Sequence, residues 1–280
     1  MTVAIPTLKL NQGPTIPQIG LGTYHGEVPD LAKSQAIVES AIAAGYRHID
    51  TAAGYGTEPA VGAAVRASGL PREQFYITTK INNRDHVRDF RAAHDKSLAD
   101  LGLDYIDLYL IHWPQPKTDR YVDVWRAFIQ FQQEGTAKAI GVSNFWVEHL
   151  ERLINETGVV PAINQIEYHP YWQQKALRQW GEAHGIITEA WSPLGSGHRP
   201  LSALAPLVAI ADKYGKSVHQ VTLRWQLQLG IVTIPRADQT PHQIANLQIF
   251  DFELTPEEIE AINGLHDPAY PAMSPLDIDL

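Results

Sequence analysis

Eight short apolar runs alternate with helical segments along the chain, and this alternation restricts the fold more than any other feature. The runs are nearly continuous in apolar residues, as is typical of strands buried on both faces of a parallel sheet. They predict strands at Gln18–Leu21, Tyr46–Asp50, Phe75–Thr79, Tyr105–His112, Ala137–Val142, Ala162–Ile166, Ile186–Trp191 and Ile231–Pro235. Eight such strands in 280 residues predict an α/β fold, a (β/α)8 TIM barrel rather than an open doubly wound sheet.

The segments between the strands have helical periodicity and recognisable ends. Glycines 45 and 135 stand just past two of them, where glycine adopts a left-handed C-cap at least cost. Thr255 opens the last helix as an N-cap, followed by a proline and two acidic residues. Helices are predicted at Leu31–Ala44, Val87–Leu101, Tyr121–Glu134, Gln173–Ala183, Leu201–Tyr214 and Ser217–Leu229.

The first residues of the chain predict a separate structural element. Thr7–Leu10 and Thr15–Pro17 flank the turn sequence Asn11-Gln12-Gly13, which is typical of a β-hairpin. We expect this N-terminal hairpin to close the bottom of the barrel. No linker, low-complexity tract or charge run divides the chain, so a single domain is expected over residues 1–280.

The composition is that of a soluble globular protein, with 44% hydrophobic and 19% charged residues. A formal net charge of −9 argues against nucleic acid as a partner. The chain has no cysteine, which excludes disulfides, thiol nucleophiles and Cys-ligated metals. It has neither a signal-peptide pattern at the start nor an apolar stretch of membrane-spanning length. We therefore expect a cytoplasmic protein without a membrane partner.

Polar residues of different chemistry follow most of the predicted strands, at the end where a barrel carries its active site. Strand ends usually meet polar loops, which explains why these positions are polar. It does not explain why they carry such different groups, namely an acid, a base, amides and cations, with almost none repeated. An acid, a cation and an imidazole beside the phenol Tyr55 can deliver a proton to a carbonyl oxygen at neutral pH. The strand-end residues are Asp50, Lys80, His112, Ser143, Asn144, Gln165, Glu167, Ser192 and Arg236.

Several motifs together resemble those of the aldo-keto reductase family from one end of the chain to the other. They are GLGTY (20–24), HIDTAAGYG (48–56), TTK (78–80), LIHWP (110–114), GVSNF (141–145), NQIEYHP (164–170), WSPLGSG (191–197) and IFDFELTPEEI (249–259). The tryptophan of WSPLGSG and the short loops make the chain most similar to the bacterial 2,5-diketo-D-gluconate reductase branch. The resemblance implies NAD(P)H-dependent reduction of aldehydes, dicarbonyls and ketones, with no metal.

The resemblance implies a role for each member of the proton-delivery set. Tyr55 is the general acid that protonates the carbonyl oxygen. The ammonium of Lys80 is expected to lower the pKa of that phenol, which is near ~10 in water. Asp50 is expected to keep Lys80 charged and placed, and His112 to orient the substrate oxygen.

The sequence has no Rossmann fingerprint for the cofactor. Gly20 and Gly22 match the first two glycines of the G-x-G-x-x-G motif, but His25 occupies the position of the third. In a barrel, phosphates are held by the loops after the last two strands, and glycines let backbone approach them. The resemblance assigns the nicotinamide carboxamide to Ser143, Asn144 and Gln165, with Trp191 against the ring or, alternatively, packed in the core. Further contacts with NADPH are expected from Gly22, Thr23, Asp50, Ser192, Leu194, Gly195 and Ser196.

The adenosine end departs from the family's pattern, in which a Lys-Ser pair and a later Arg hold the 2′-phosphate. The matching positions here are Arg236, Ala237 and His242, with Asn246 retained near the adenine. Arg236 keeps a bidentate phosphate donor, whereas Ala237 lacks a hydroxyl and His242 is only fractionally charged. We expect NADPH to be preferred over NADH by a reduced margin.

The substrate site is less constrained. Tyr24 and Trp113 are expected to line it together with Tyr55 and His112, and Asn82 and Asn83 to make one wall polar. A short loop after the fourth strand and a short tail suggest an open, permissive pocket for a small carbonyl compound. We expect a monomer.

Three other functions remain open from the residues alone. An isomerase or aldolase would use Lys80 as a Schiff-base nucleophile, but Asp50 would keep that lysine charged. A metal hydrolase would recruit His112, His169, Asp50 and Glu167, which show no metal-binding spacing. A non-catalytic NADPH sensor would bind the cofactor without turnover.

Overall fold

The barrel strands follow one another in chain order around the ring. A computed structural model of the protein describes residues 4–26, 28–197 and 199–278. Each barrel strand pairs in parallel with the next one along the chain. Strands β1 (Thr7–Lys9) and β2 (Thr15–Pro17) form a separate antiparallel pair, and the barrel strands are β3 (Leu21–Gly22), β4 (His48–Asp50), β5 (Tyr76–Ile81), β6 (Ile106–Ile111), β7 (Ala137–Ser143), β8 (Ile163–Glu167), β9 (Ile187–Trp191) and β10 (Val232–Thr233).

The ring closes where the first and last barrel strands meet. Ile19 and Thr233 form a parallel bridge. The N–H of Gly20 donates to Thr233 O at 2.9 Å, and the N–H of Thr233 donates to Gln18 O at 2.9 Å. The predicted (β/α)8 barrel is therefore confirmed.

The first strand is shorter than predicted. We expected Gln18–Leu21, but pairing with β4 begins only at Leu21, opposite Ile49. Gly20 lies against the buried ring of His48, and a Cβ added there would come within 2.7 Å of that ring. The imidazole of His48 therefore occupies the space between this segment and β4, and regular pairing of the two strands begins only at the next residue.

The helices surround the barrel, and none of those in the described residues is long and apolar enough to cross a membrane. The carboxylate of Asp30 accepts from the N–H of Lys33 at the start of the first helix. Gly45 ends that helix with a φ of 117°, as predicted. The helices are α1 (Leu31–Ala44), α2 (Glu58–Ala67), α3 (Phe90–Leu101), α4 (Tyr121–Gln133), α5 (Val147–Thr157), α6 (Lys175–Ala183), α7 (Ala205–Tyr214), α8 (Val218–Gln228), α9 (Thr240–Leu247) and α10 (Pro256–Asn263).

Two helices begin later than predicted because of local backbone chemistry. Helix α3 begins at Phe90 rather than Val87, since the Asp89 carboxylate caps it by accepting from two backbone N–H groups. Helix α6 begins after Gln174, whose φ of 41° is not helical. The predicted helix 201–214 is divided, because Leu204 is extended and α7 starts only after it.

The N-terminal hairpin closes the amino end of the barrel, as predicted. Its buried side chains, Leu10 and Ile16, pack with residues near the starts of the barrel strands. The side-chain amide of Asn11 donates to Pro161 O at 2.9 Å, and that of Gln12 donates to Val160 O at 2.8 Å. These bonds fix the hairpin across the end of the barrel opposite to the carboxyl ends of the strands.

Candidate active site

Four predicted catalytic side chains meet at the carboxyl end of the barrel. Asp50 ends β4, Lys80 lies in β5, Tyr55 lies in a 3-10 turn (Ala53–Tyr55) after β4, and His112 follows β6. Lys80 Nζ donates to Asp50 Oδ1 at 2.6 Å and to the backbone oxygen of Thr51 at 2.9 Å. The hydroxyl of Tyr55 lies 3.5 Å from Lys80 Nζ and 3.5 Å from His112 Nε2. The phenol therefore stands between a cation and an imidazole.

Burial governs the electrostatics of this group. Burial lowers the pKa of Lys80, but the charge and hydrogen bond of Asp50 outweigh it, and the pKa ends above its usual value. Burial raises the pKa of Asp50, which the direct contact with Lys80 opposes. Lys80 is 0% exposed and Asp50 is 2% exposed, so the ion pair is closed to water.

The pKa of Tyr55 differs from our expectation in its net direction. Lys80 does lower this pKa, as predicted, but burial raises it by more, so the pKa of Tyr55 lies above that of a free phenol. Tyr55 consequently keeps its proton across the neutral range. This suits an acid that donates a proton once a reaction develops charge on the acceptor.

The residues assigned to the nicotinamide form an interlocked set. Ser143 Oγ donates to Gln165 O at 2.8 Å. The amide nitrogen of Asn144 donates to His112 O at 3.1 Å, and its oxygen accepts from the Trp191 indole N–H at 2.8 Å. Asn144 has a φ of 62°, which aims its side chain between neighbouring strand ends. Asn144 thus connects the backbone of His112 to the indole of Trp191.

The loop after β9, where phosphate contacts were predicted, contains three described residues with left-handed backbone. Ser192 has a φ of 48°, and Gly195 and Gly197 have φ values of 78° and 74°. The N–H of Gly195 donates to Ser192 O at 2.8 Å, while Leu194 packs on the core. The side chain of Ser196, also a predicted contact, lies outside the described part of the chain.

The predicted adenosine end lies at the surface. The side chain of Arg236 is 53% exposed, and its Nε lies 3.4 Å from Asp238 Oδ1. Ala237 is buried, and His242 is exposed on α9. Asn246 is buried near the hydroxyl of Tyr46, which donates to Gln243 O at 3.2 Å. No prediction from the sequence covered Asp238, whose carboxylate lies two residues after Arg236, the predicted phosphate donor.

The remaining predicted contacts lie around the Asp50 strand. A Cβ on Gly22 would come within 2.8 Å of Ile234 O, so ring closure itself requires a glycine there. Thr23 Oγ1 donates to Asp50 O at 2.9 Å. Tyr24 is 58% exposed, with its ring 4.9 Å from that of Tyr55. Trp113 is only 7% exposed.

Comparison with known proteins agrees with this geometry. The sequence profile described as the Aldo/keto reductase family matches residues 18–267. The chain belongs to the aldo/keto reductase family. The predicted family and bacterial branch are thereby confirmed, since the methylglyoxal reductase DkgA of Escherichia coli K12 is 46% identical over 265 residues, or 94% of each chain.

Solved structures of other aldo/keto reductases share the fold. The crystal structure of the Brucella melitensis aldo/keto reductase gives a TM-score of 0.88 at 46% identity, covering 94% of this chain and 100% of that one. The Bombyx mori aldo-keto reductase AKR2E4, solved in complex with NADP, gives a TM-score of 0.87 at 38% identity over 94% of each chain.

Besides Asp238, a second acidic residue of this aldo/keto reductase, Glu189, was not predicted from the sequence. Glu189 lies in β9 with 0% exposure, and its Oε2 accepts from Gln165 Nε2 at 3.0 Å. The same nitrogen donates to Asp50 Oδ2 at 2.8 Å, so one amide joins two carboxyl groups. Burial, and then the charge of Asp50, raise the pKa of Glu189 to about 8. A glutamate two residues before Trp191, in a strand that is apolar apart from Thr188, was the available signal, since alternate residues share a face.

The residues considered for a metal hydrolase are used differently. Glu167 Oε1 lies 3.3 Å from His169 Nε2 and 3.3 Å from the hydroxyl of Tyr270. Among the described residues, no three His, Asp or Glu side chains are placed to hold a metal ion. Glu167 instead connects β8 to the segment that follows α10.

Proposed function

We propose that the protein reduces small aldehydes, dicarbonyls and ketones to alcohols, with hydride from NADPH and a proton from Tyr55. The observation that carries this is the hydroxyl of Tyr55, 3.5 Å from both Lys80 Nζ and His112 Nε2. A carbonyl oxygen beside that hydroxyl takes its proton as hydride reaches the carbonyl carbon. The tyrosinate left behind is stabilised by Lys80, which Asp50 keeps charged.

The side chains fit a nicotinamide dinucleotide. Ser143, Asn144 and Gln165 supply hydroxyl and amide groups of the kind that bind a carboxamide, with the indole of Trp191 beside them. The left-handed glycines of the loop after β9 allow close approach of a pyrophosphate. When bound, the nicotinamide supplies the hydride. The NADP complex of the silkworm relative supports this cofactor.

We further propose that NADPH is preferred over NADH by a reduced margin. Arg236 offers an exposed guanidinium, which favours a phosphate. Ala237 has no hydroxyl to add, and His242 carries only a fractional charge at neutral pH. Catalytic efficiency with NADH equal to or above that with NADPH would contradict this proposal.

The substrates proposed are small and varied: aldehydes, dicarbonyls, α-keto esters and sugars. The name of the E. coli relative, methylglyoxal reductase, supports a dicarbonyl. Asn82 accepts from the N–H of Arg84, and Asn83 is buried just after Lys80, which makes this side of the site polar. A profile confined to one bulky steroid ketone would contradict this breadth.

The test is nicotinamide oxidation with methylglyoxal and a small-aldehyde panel, using NADPH and NADH in parallel. Tyr55→Phe is expected to lower kcat by about a thousandfold, because it deletes the acid. Tyr105→Phe is the matched control, since Tyr105 lies near Arg72 before β6, at the hairpin end. Cofactor binding without turnover of any carbonyl by wild type would show a sensor instead.

A further inference from the structure

A buried polar chain extends below the catalytic group into the barrel, and the proposed mechanism does not use it. It runs from Asp50 through the amide of Gln165 to Glu189, whose other oxygen, Oε1, lies 3.6 Å from His48 Nε2. His48 Nε2 also lies 3.0 Å from Thr78 Oγ1. Both Glu189 and His48 are 0% exposed, so bulk solvent does not reach them.

Hydrogen-bonding positions are unfilled on both groups at the end of this chain. Among the described residues, His48 Nδ1 has no hydrogen-bond partner, while Nε2 lies 3.0 Å from the hydroxyl of Thr78. Burial lowers the pKa of His48 to about 3, so the ring is neutral. In the same part of the chain, Glu189 Oε1 accepts no hydrogen bond, and the neutral His48 ring 3.6 Å away offers it no charge. A buried oxygen without a donor is better accommodated in a neutral carboxylic acid than in a carboxylate.

Charge balance leads to the same assignment. The titratable groups that face Glu189 are His48, Asp50, Tyr76 and Lys80, and Lys80 is the only cation among them. That cation already holds Asp50 at 2.6 Å. A second carboxylate in this interior would have no cation of its own and no contact with bulk solvent.

We propose that Glu189 is a positioning residue of the reaction, held as a neutral carboxylic acid that accepts from Gln165 and faces the ring of His48. Lys80 then faces one carboxylate rather than two, and its positive field remains available to the tyrosinate of Tyr55. Both amide hydrogens of Gln165 are taken by Asp50 and Glu189, so this amide offers a ligand only its carbonyl oxygen. The assignment deepens the proposed function and rests on it for its kinetic consequence.

The kinetic consequence is an alkaline limit on reduction. Above about pH 8 Glu189 ionises, because that is where its folded-state pKa lies. The new negative charge offsets the charge of Lys80 and makes Tyr55 a weaker acid. The rate of carbonyl reduction is therefore expected to fall as pH rises through this value.

Glu189→Gln tests this directly, because a carboxamide has the hydrogen-bonding pattern of the neutral acid. Its oxygen accepts from Gln165, its NH2 takes the place of the protonated oxygen that faces His48, and it does not ionise. We expect kcat/KM at pH 6.5 to stay within about twofold of wild type and the alkaline limb to move up by about one pH unit or more. Glu189→Met, which leaves a buried N–H of Gln165 without a partner, is expected to lose about tenfold in kcat.

Glu58→Gln is the matched control. Glu58 is also buried with a pKa raised by burial, but it accepts from Thr79, the neighbour of Lys80 whose side chain points to the other face of β5. This variant is expected to leave the alkaline limb unchanged. The protonation state is read independently by NMR of protein labelled with 13C at the glutamate carboxyls: one carboxyl titrating near 8 is expected to vanish in Glu189→Gln and to persist in Glu58→Gln.

Two outcomes would overturn the proposal. One is a pH profile of Glu189→Gln that superimposes on wild type with no titration lost from the NMR spectrum. The other is an equal loss of activity in Glu189→Gln and Glu189→Met at every pH, which would assign Glu189 an ionised or purely packing role. If wild type reduces no carbonyl, the proposed function fails, while the NMR titration still decides the state of Glu189.

Discussion

Side chains at the inner end of the predicted cofactor site hold one another, whereas those at the outer end have few partners. Ser143, Asn144 and Gln165 are at most 8% exposed and are bonded to each other and to the catalytic group. Arg236 is 53% exposed, with a carboxylate 3.4 Å away. Electrostatic contacts at the inner end are little screened, while those at the outer end compete with water and salt.

Because of this difference, we expect the two ends to affect different properties of the protein. A change at the inner end disturbs stability and chemistry together, because the same bonds serve both. A change at the outer end is expected to alter cofactor choice while leaving folding intact. Four experiments test the contrast, in order of decreasing effect.

Lys80→Met breaks the inner end most severely. It leaves Asp50 buried without its cation, so we expect a loss of about 3–5 kcal/mol in the free energy of unfolding and about a thousandfold in kcat. Urea denaturation and steady-state reduction measure the two effects. Lys96→Met is the control, because Lys96 and Asp100 form an exposed pair and its loss should change stability by no more than about 0.5 kcal/mol.

The double substitution Ala237→Ser with His242→Arg restores the donors that the outer end lacks. We expect the ratio of kcat/KM for NADPH over NADH to rise by up to about a hundredfold, with the free energy of unfolding almost unchanged. His184→Arg adds a similar charge at the end of α6, near Asn11 of the hairpin, and should leave the ratio as it is. An unchanged ratio in the double variant would remove Arg236 and its neighbours from phosphate binding.

Asn144→Gly and Asn144→Ala divide the inner-end effect into two parts. Glycine removes the bonds to His112 O and Trp191 but tolerates the φ of 62°, so a loss of about 2 kcal/mol is expected. Alanine loses the same bonds and adds backbone strain, about 1 kcal/mol more. Denaturant unfolding compares them; equal stability of the two variants would show that the strain is relieved elsewhere.

Asp238→Asn is the mildest change. It removes the carboxylate beside Arg236 Nε and is expected to improve the KM for NADPH by about threefold, with little effect on NADH. The gain should diminish as salt is added, since the pair is solvent-exposed. Weaker NADPH binding in this variant would mean that Asp238 orders the guanidinium rather than competing for it.

Most of the barrel could be predicted from the sequence because its signals are local. Apolar runs marked the strands within a few residues, and Gly45 marked the end of α1. The starts of α3 and α6 were wrong, because an Asp89 cap and a left-handed Gln174 depend on side-chain and backbone geometry that periodicity does not report.

The catalytic group of the candidate site was predictable because its residues follow strand ends or lie in motifs that resemble those of the family. Asp50, Lys80, Tyr55 and His112 do lie together, as expected. The net pKa of Tyr55 was not predictable, because burial is set by packing from the whole ring. The role of Glu189 was not predictable either, because the groups around it come from three other strands, β4, β5 and β8.

The closure of the ring has a consequence for the order of folding during synthesis. Asn11 bonds to a carbonyl 150 residues further along the chain, and Ile19 bridges to Thr233 in the last strand. The segments that leave the ribosome first are therefore among the last to reach their native partners. Contacts of such sequence separation make folding slow, and the early strands have an open edge until β10 emerges. A nascent chain stalled before residue 231 should be unable to close the barrel and should be more readily cleaved by protease than the released protein.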